Sequence, residues 1–219
     1  AFRDMATAFE REFKRVGFDP TQVLAFLART STWGATGEEL RYPDFFPVSY
    51  EAGGNAACAD AVQELRERLG VPAVGTALHL GFVHPEAVNY VAEADFAGRC
   101  TNPWYEWLGN SACVDNEPWF KLWKEKLIPA AASLGFTAVE FDEGAGNPTY
   151  CERPGHTHGA SSLGILSQGM RSHDRLYKEF RRQLGPDTIL ICEGGNDQIA
   201  RWIDLHEGSP ECEIERYTH

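Results

Sequence analysis

The sequence predicts an α/β chain with parallel strands, wound as a (β/α)8 TIM-type barrel of which residues 1–219 supply about the first five to six βα units. Three observations lead there. Short apolar segments rich in β-branched residues alternate with helix-like ones, the order of parallel βαβ units. Long loops follow two of these segments, 31–53 and 144–160, and gather aromatic, histidine and acidic residues, as barrels do on the face where their strands end. No GxGxxG or Walker loop follows any strand, so the phosphate-binding uses of an open doubly wound sheet lack their signature. A barrel usually takes about 250 residues. The 219 present are therefore expected to form a single partial catalytic domain, a segment of a longer polypeptide or one that assembles with a second piece.

The elements follow in order. A helix is expected over 3–16 and a strand in "QVLAFLART" (22–30). In "GNAACADAVQELRERLG" (54–70), Ala61, Val62, Leu65 and Leu69 recur at helical spacing and Gly70 sits at the stop. "PAVGTALHLG" (72–81) is the second strand, and "PEAVNYVAEADF" (85–96) reads as a helix. Pro118 suits the first turn of a helix over 117–135, in which Trp119 and Trp123, spaced i,i+4, are core residues. The strand "FTAVEFDEG" (136–144), a helix over 161–185 and the strand "DTILICEGG" (187–195) complete the pattern, and "RWIDLHEGSPECEIERYTH" begins one further element.

Composition excludes several classes. Twenty Lys and Arg against 32 Asp and Glu give a formal charge of −12 without a basic cluster, so neither nucleic acid nor an anionic membrane surface is an expected partner. No apolar run approaches the ~20 residues of a membrane span. Six cysteines form no CxxC pair, against zinc-ribbon and thioredoxin-type sites. Cys100 and Cys113 bracket a loop and either bridge it or stand as separate buried thiols. The compartment stays open, with an extracellular or periplasmic place favoured over the cytoplasm.

The chemistry concentrates in "GFTAVEFDEGAGNP" (135–148). Side chains alternate along a strand, so Thr137, Val139 and Phe141 share one face and Ala138, Glu140 and Asp142 the other. In a barrel the first set packs on the helices and the acids point inward, with Asp142 at the rim and Glu140 one layer below. In "ILICEGGND" the same count groups Ile189, Ile191 and Glu193. If the two strands are neighbours, about 4.8 Å apart, Asp142 and Glu193 meet across the mouth. Two carboxylates in one low-dielectric site push their pKa values apart, and glycosidic bond cleavage needs such a pair. The plain alternative is that Glu140 and Glu193 are bound structurally.

Other candidates surround that pair. His156 and His158 in "GHTHG" lie two apart on a Gly-flanked loop and suit sugar hydroxyls better than a metal, whose only supplements would be Cys151, Asp142 and Glu143. His79 and His84 flank the end of the second strand, Asn196 follows Glu193, and Asp44 in "YPDFFP" either holds a sugar hydroxyl or caps a turn. Trp33, Tyr42, Phe45, Phe46, Trp104, Tyr105 and Trp107 lie on loops, where rings can cover the C–H faces of sugars, although core packing claims most of them. No GxSxG elbow is present.

The runs "CVDNEPWFKLWKEKLIPAAASLGFTAVEFDEGAGNPTYCERPGHTHG" and "LYKEFRRQLGPDTILICEGGND" resemble an uncharacterised family of glycoside-hydrolase-like (β/α)8 barrels, best over residues 112–197. More distantly, a strand ending in Asp142 followed by one ending in Cys-Glu resembles the α-galactosidase clan. That resemblance implies that Asp142, as the acid closing the fourth strand, is the nucleophile. It further implies that Glu193, closing the fifth, contacts substrate, and that the acid/base belongs to the sixth strand, near or beyond the end of this chain. Glu140 and the "HTHG" spacing depart from the family pattern.

The expected function is thus glycoside hydrolysis of a carbohydrate substrate with Asp142 and Glu193 as the catalytic carboxylates, retaining in the first place, with the inverting version open should the carboxyls stand about 6.5–9.5 Å apart. Glu140, Glu143, His156, His158, Trp33, Asp44, His79 and Asn196 are the expected substrate contacts, without metal or other cofactor. A catalytically inactive carbohydrate-binding or structural barrel subunit and a metal-dependent hydrolase are the alternatives. The remainder of the polypeptide or a homo-oligomer is a possible partner.

Overall fold

The computed structural model describes residues 4–27, 43–44, 46, 53–95, 110–114, 116–141, 165–193 and 201–207, with the backbone alone at 110–111, 165–173, 193 and 206–207. Helix α1, Met5–Val16, precedes strand β1, Leu24–Phe26. Helix α2, Gly54–Gln63, continues in a wider π turn, Glu64–Arg68, and leads into β2, Ala73–Leu78. Gly70, at φ +73°, ends that helical run in the left-handed conformation that glycine adopts without a Cβ penalty. Ala61, Val62 and Leu65 are buried, as their spacing predicts.

Helix α3, Glu117–Leu122, is capped by Asn116, whose side chain accepts from the Trp119 amide at 3.2 Å, and has Pro118 in its first turn. A π turn, Trp123–Leu127, joins it to α4, Ile128–Ser133. Pro129 lacks the N–H that an α-helix would send back to Glu125, and the widened turn falls just where that ladder breaks. Strand β5, Ala138–Phe141, the long α5, Ile165–Leu184, then β6, Ile189–Glu193, and β7, Leu205–Glu207, complete the main path. The strands expected within 22–30, 72–81, 136–144 and 187–195 are all present, and β7 is the further element expected after 201.

Among the described residues the main sheet has five strands in the order β1-β2-β5-β6-β7, every neighbouring pair parallel. Each new strand is added on the same side of the last. A doubly wound sheet reverses direction at a switch point, and this one does not. With right-handed crossovers, one-directional winding sends the connecting helices to a single face.

Register fixes the two faces. Thr76, Val139 and Leu190 align, as do Leu78, Phe141 and Cys192, and all six are fully buried. Phe141 lies 4.8 Å from the Tyr177 ring and 5.0 Å from Phe180, with Trp123 beyond at 6.0 Å from Phe180, so this is the face that α5 and the π turn cover. Trp119 and Trp123 are fully buried core residues. The opposite face carries Phe26, Gly75, Ala77, Ala138, Glu140, Ile189 and Ile191, of which Phe26, Ala77, Glu140 and Ile189 are only half-buried. Gly75 is required there, because a Cβ would stand 2.6 Å from the Phe26 ring.

Two features depart from the sequence reading. A small antiparallel pair, β3 (Phe82–Val83) with β4 (Asn110–Ser111), escapes pattern recognition because two-residue strands carry no period. The helix expected over 85–96 is absent. Residues 84–95 instead form successive turns, with Ala87 N–H donating to His84 C=O (3.0 Å), Tyr90 to Ala87 (3.1 Å) and Ala94 to Val91 (3.0 Å). The amides of Val88 and Asn89, which a helix would direct to residues 84 and 85, are taken by the Asp44 carboxylate at 2.7 and 2.9 Å.

Candidate functional site

The strands of a parallel sheet all end on one side, and the candidate acids cluster at that end. Glu140 lies one position from the end of β5, in register with Ala77 of β2 and Ile191 of β6. Its neighbours on both sides are therefore apolar. The alternation expected of this strand is the one observed: Val139 and Phe141 face the helices, and Glu140 belongs to the half-buried face.

Glu193 is the last residue of β6 and pairs in register with Glu207, the last residue of β7. Paired positions on adjacent parallel strands share a face. The two acidic positions thus sit side by side at the strand ends. Glu207 is the candidate that sequence reasoning missed, and a signal for it exists: "ICEG" and "LHEG" repeat the acid-glycine pair of "FDEG", and β6 and β7 both end on that acid. The third copy lay in an element recognised only by its beginning.

His79 directly follows β2 and is buried, its ring edge-on to Phe82 at 5.8 Å. The next carbonyl, Leu80, accepts from the Trp119 indole at 3.1 Å, which fixes the chain as it leaves the strand. His84 is half-buried, and its Nδ1 accepts from the Glu86 amide at 3.1 Å. Asp44 is held by protein groups: Oδ2 accepts from the Val88 amide, and Oδ1 from both the Asn89 amide and its side-chain Nδ2, the last at 2.7 Å. Phe46, one of the loop aromatics, is part of the hydrophobic core. Asp142, Glu143, His156, His158, Trp33 and Asn196 lie outside the described residues, as do Cys100, Tyr42, Phe45, Trp104, Tyr105 and Trp107.

The helix side of the sheet is inert by contrast. Burial drives the Tyr177 phenol well above its usual pKa, with Cys192 adding to the shift, and burial pushes the Cys58 thiol up to about 12. Neither group ionises near neutral pH.

No family model matches the chain, and no curated protein matches it in sequence. Solved structures do match. The alpha-N-acetylgalactosaminidase NagBb of Bifidobacterium bifidum is similar over 98% of this chain at 14% identity, with a TM-score of 0.66. A GH36 alpha-galactosidase, AgaA, of Geobacillus stearothermophilus is similar over 91% at 17% identity (TM-score 0.60). The maltogenic alpha-amylase AmyB of Thermotoga neapolitana is similar over 98% at 12% identity (TM-score 0.59). The chain spans 34%, 28% and 47% of those three chains, respectively. The likeness is one of fold, to glycoside hydrolases at low sequence identity, and it agrees with the distant resemblance seen in residues 112–197.

Proposed function

We propose that this chain is a large part of a (β/α)8 glycoside hydrolase of the retaining type. In this reading Asp142 is the nucleophile, Glu207 the acid/base and Glu193 a substrate contact, with His79, His156 and His158 lining the same mouth. The observation that carries the reading is the register of β5, β6 and β7, three adjacent strands each of which ends at or just before an acid. Continuing the β5 alternation by one residue would put Asp142 on the face of Glu140, and continuing the register would align it with His79 and Glu193. A retaining mechanism needs two carboxyl groups about 5–5.5 Å apart, within reach of the ends of neighbouring or next-neighbouring strands about 4.8 Å apart.

The strand count bears on this reading. Among the described residues β5 is the third strand of the sheet, whereas the clan it resembles closes the fourth with the nucleophile. The proposal therefore requires one more strand beyond the β1 edge, which makes β6 the fifth and β7 the sixth, the strand to which the resemblance assigns the acid/base. Because the chain spans less than half of each of those three similar structures, the activity is proposed for the polypeptide that carries it.

The test is hydrolysis of 4-nitrophenyl α-galactoside, N-acetyl-α-galactosaminide and α-glucoside. Asp142→Asn should lower turnover of any responsive glycoside on the order of a thousandfold or more while leaving the circular dichroism spectrum intact. Glu207→Gln should spare substrates with good leaving groups relative to poor ones, since an acid is needed most where the leaving oxygen is basic. Full activity in Asp142→Asn would overturn the nucleophile assignment.

A further inference from the structure

The turn-built segment 84–95 follows β3 and ends at the antiparallel bridge between Asp95 and Ala112. It has the apolar content of a helix, yet its shape is set from outside. The Asp44 carboxylate receives three donors from it: the Val88 amide, the Asn89 amide and Asn89 Nδ2, at 2.7, 2.9 and 2.7 Å. Lys126, in the π turn between α3 and α4, donates to Asn89 Oδ1 and ties the same point to the helical layer. Asn89 is itself buried. Two consecutive backbone amides and a side-chain amide converging on one anion, with an ammonium behind them, make an anion-binding nest.

We propose that Asp44 is a positioning residue, an internal anion that fills this nest and fixes the course of segment 84–95, and that it is not a ligand for substrate. An ionised carboxylate has about four acceptor positions. Three are taken by the segment 84–95, leaving little with which to recognise a sugar. Two of these bonds divert the Val88 and Asn89 amides from helical partners, which explains why a helix-like sequence is held as turns. Any bearing of this segment on catalysis rests on the glycosidase reading; the nest itself does not.

The experiment is amide hydrogen exchange, read by mass spectrometry on the purified chain. Asp44→Ala should speed exchange of peptides carrying Val88 and Asn89 by about tenfold, with β5 and β6 unchanged. Adding sodium formate should restore protection in Asp44→Ala, whereas sodium chloride at equal ionic strength should not, because the emptied nest selects a carboxylate. A merely destabilised fold would not make that distinction. If Asp44→Ala does not fold, Asp44→Asn, which keeps one acceptor oxygen, should show a smaller increase and a smaller formate effect. Wild-type exchange at Val88 and Asn89 in either variant, or equal effects of formate and chloride, would overturn the proposal. Loss of glycoside hydrolysis without any change at these amides would instead favour Asp44 as a substrate ligand, and intact exchange behaviour in a chain without hydrolytic activity would separate the nest from the enzymatic reading.

Discussion

Phe141→Ala tests the parity on which the placement of the acids rests. Phe141 is fully buried, with ring centroids 4.8 Å from Tyr177 and 5.0 Å from Phe180 and with Leu78 and Cys192 beside it in register. Truncating a fully buried phenylalanine costs about 3–5 kcal/mol, the sum of lost apolar burial and the cavity left behind. Against a whole-domain stability of about 5–15 kcal/mol, that is a large fraction. For a chain of this size it corresponds to a fall in Tm of roughly 6–20 °C, at about 2–4 °C per kcal/mol. The companion change, Phe26→Ala, removes a ring from the opposite, half-buried face and should cost roughly half as much. Urea unfolding followed by tryptophan fluorescence measures both, with Trp119 and Trp123 close to the Phe141 cluster. A Phe141→Ala cost below about 1 kcal/mol, or one smaller than that of Phe26→Ala, would mean that the helix-facing side of β5 is misassigned. The position of Glu140 on the other face, and the extrapolation to Asp142, would fail with it.

Two further outcomes can be checked in the same preparation. Glu179 is held below the usual carboxylate range, chiefly by the hydrogen bonds from Arg182 and then by that from Gln183, against a desolvation penalty. A depressed folded-state pKa contributes stability that is present above the unfolded value of about 4.5 and lost as pH falls through the folded one. Glu179→Gln should therefore lose stability at pH 7 and show a smaller drop between pH 7 and pH 3 than the wild type, as measured by urea midpoints. Cys58, buried and pushed up to about 12 by desolvation, should resist iodoacetamide at pH 8 in the native protein and alkylate fully in urea. Peptide mapping reads that residue separately from the other cysteines, and rapid native labelling of Cys58 would contradict its burial.

Local signals carried much of the fold. Strands β1, β2, β5 and β6 are legible because a buried parallel strand is a short β-branched run closed by glycine or a polar residue, as in "AVGTALHLG" and "TILICEGG". The helices over 5–16, 54–68, 117–133 and 165–184 are legible, the second from the spacing of Ala61, Val62, Leu65 and Leu69 and the third from Pro118 in its first turn. The face of Glu140 is legible too, since alternation is a property of the strand itself. Residues 84–95 were not legible, because the group that decides their shape is the carboxylate of Asp44, more than 40 positions away in the chain. The pairing of Glu193 with Glu207 was equally hidden, since which strand adjoins which is a matter of winding and not of spacing.

By itself, then, the amino-acid order determined what each segment could be: which runs are strands or helices, which side of a strand is apolar, and which strand ends carry acid. Those properties depend on residues a few positions apart, so they survive in a linear reading. Only the tertiary structure decided the one-directional order of the sheet, the covering of one face by α5 and the adjacent π turn, and the capture of two backbone amides by a distant aspartate. Such features arise from contacts between segments far apart in sequence, where the free energy of burial and of satisfying polar groups selects one arrangement among several that the local pattern allows equally.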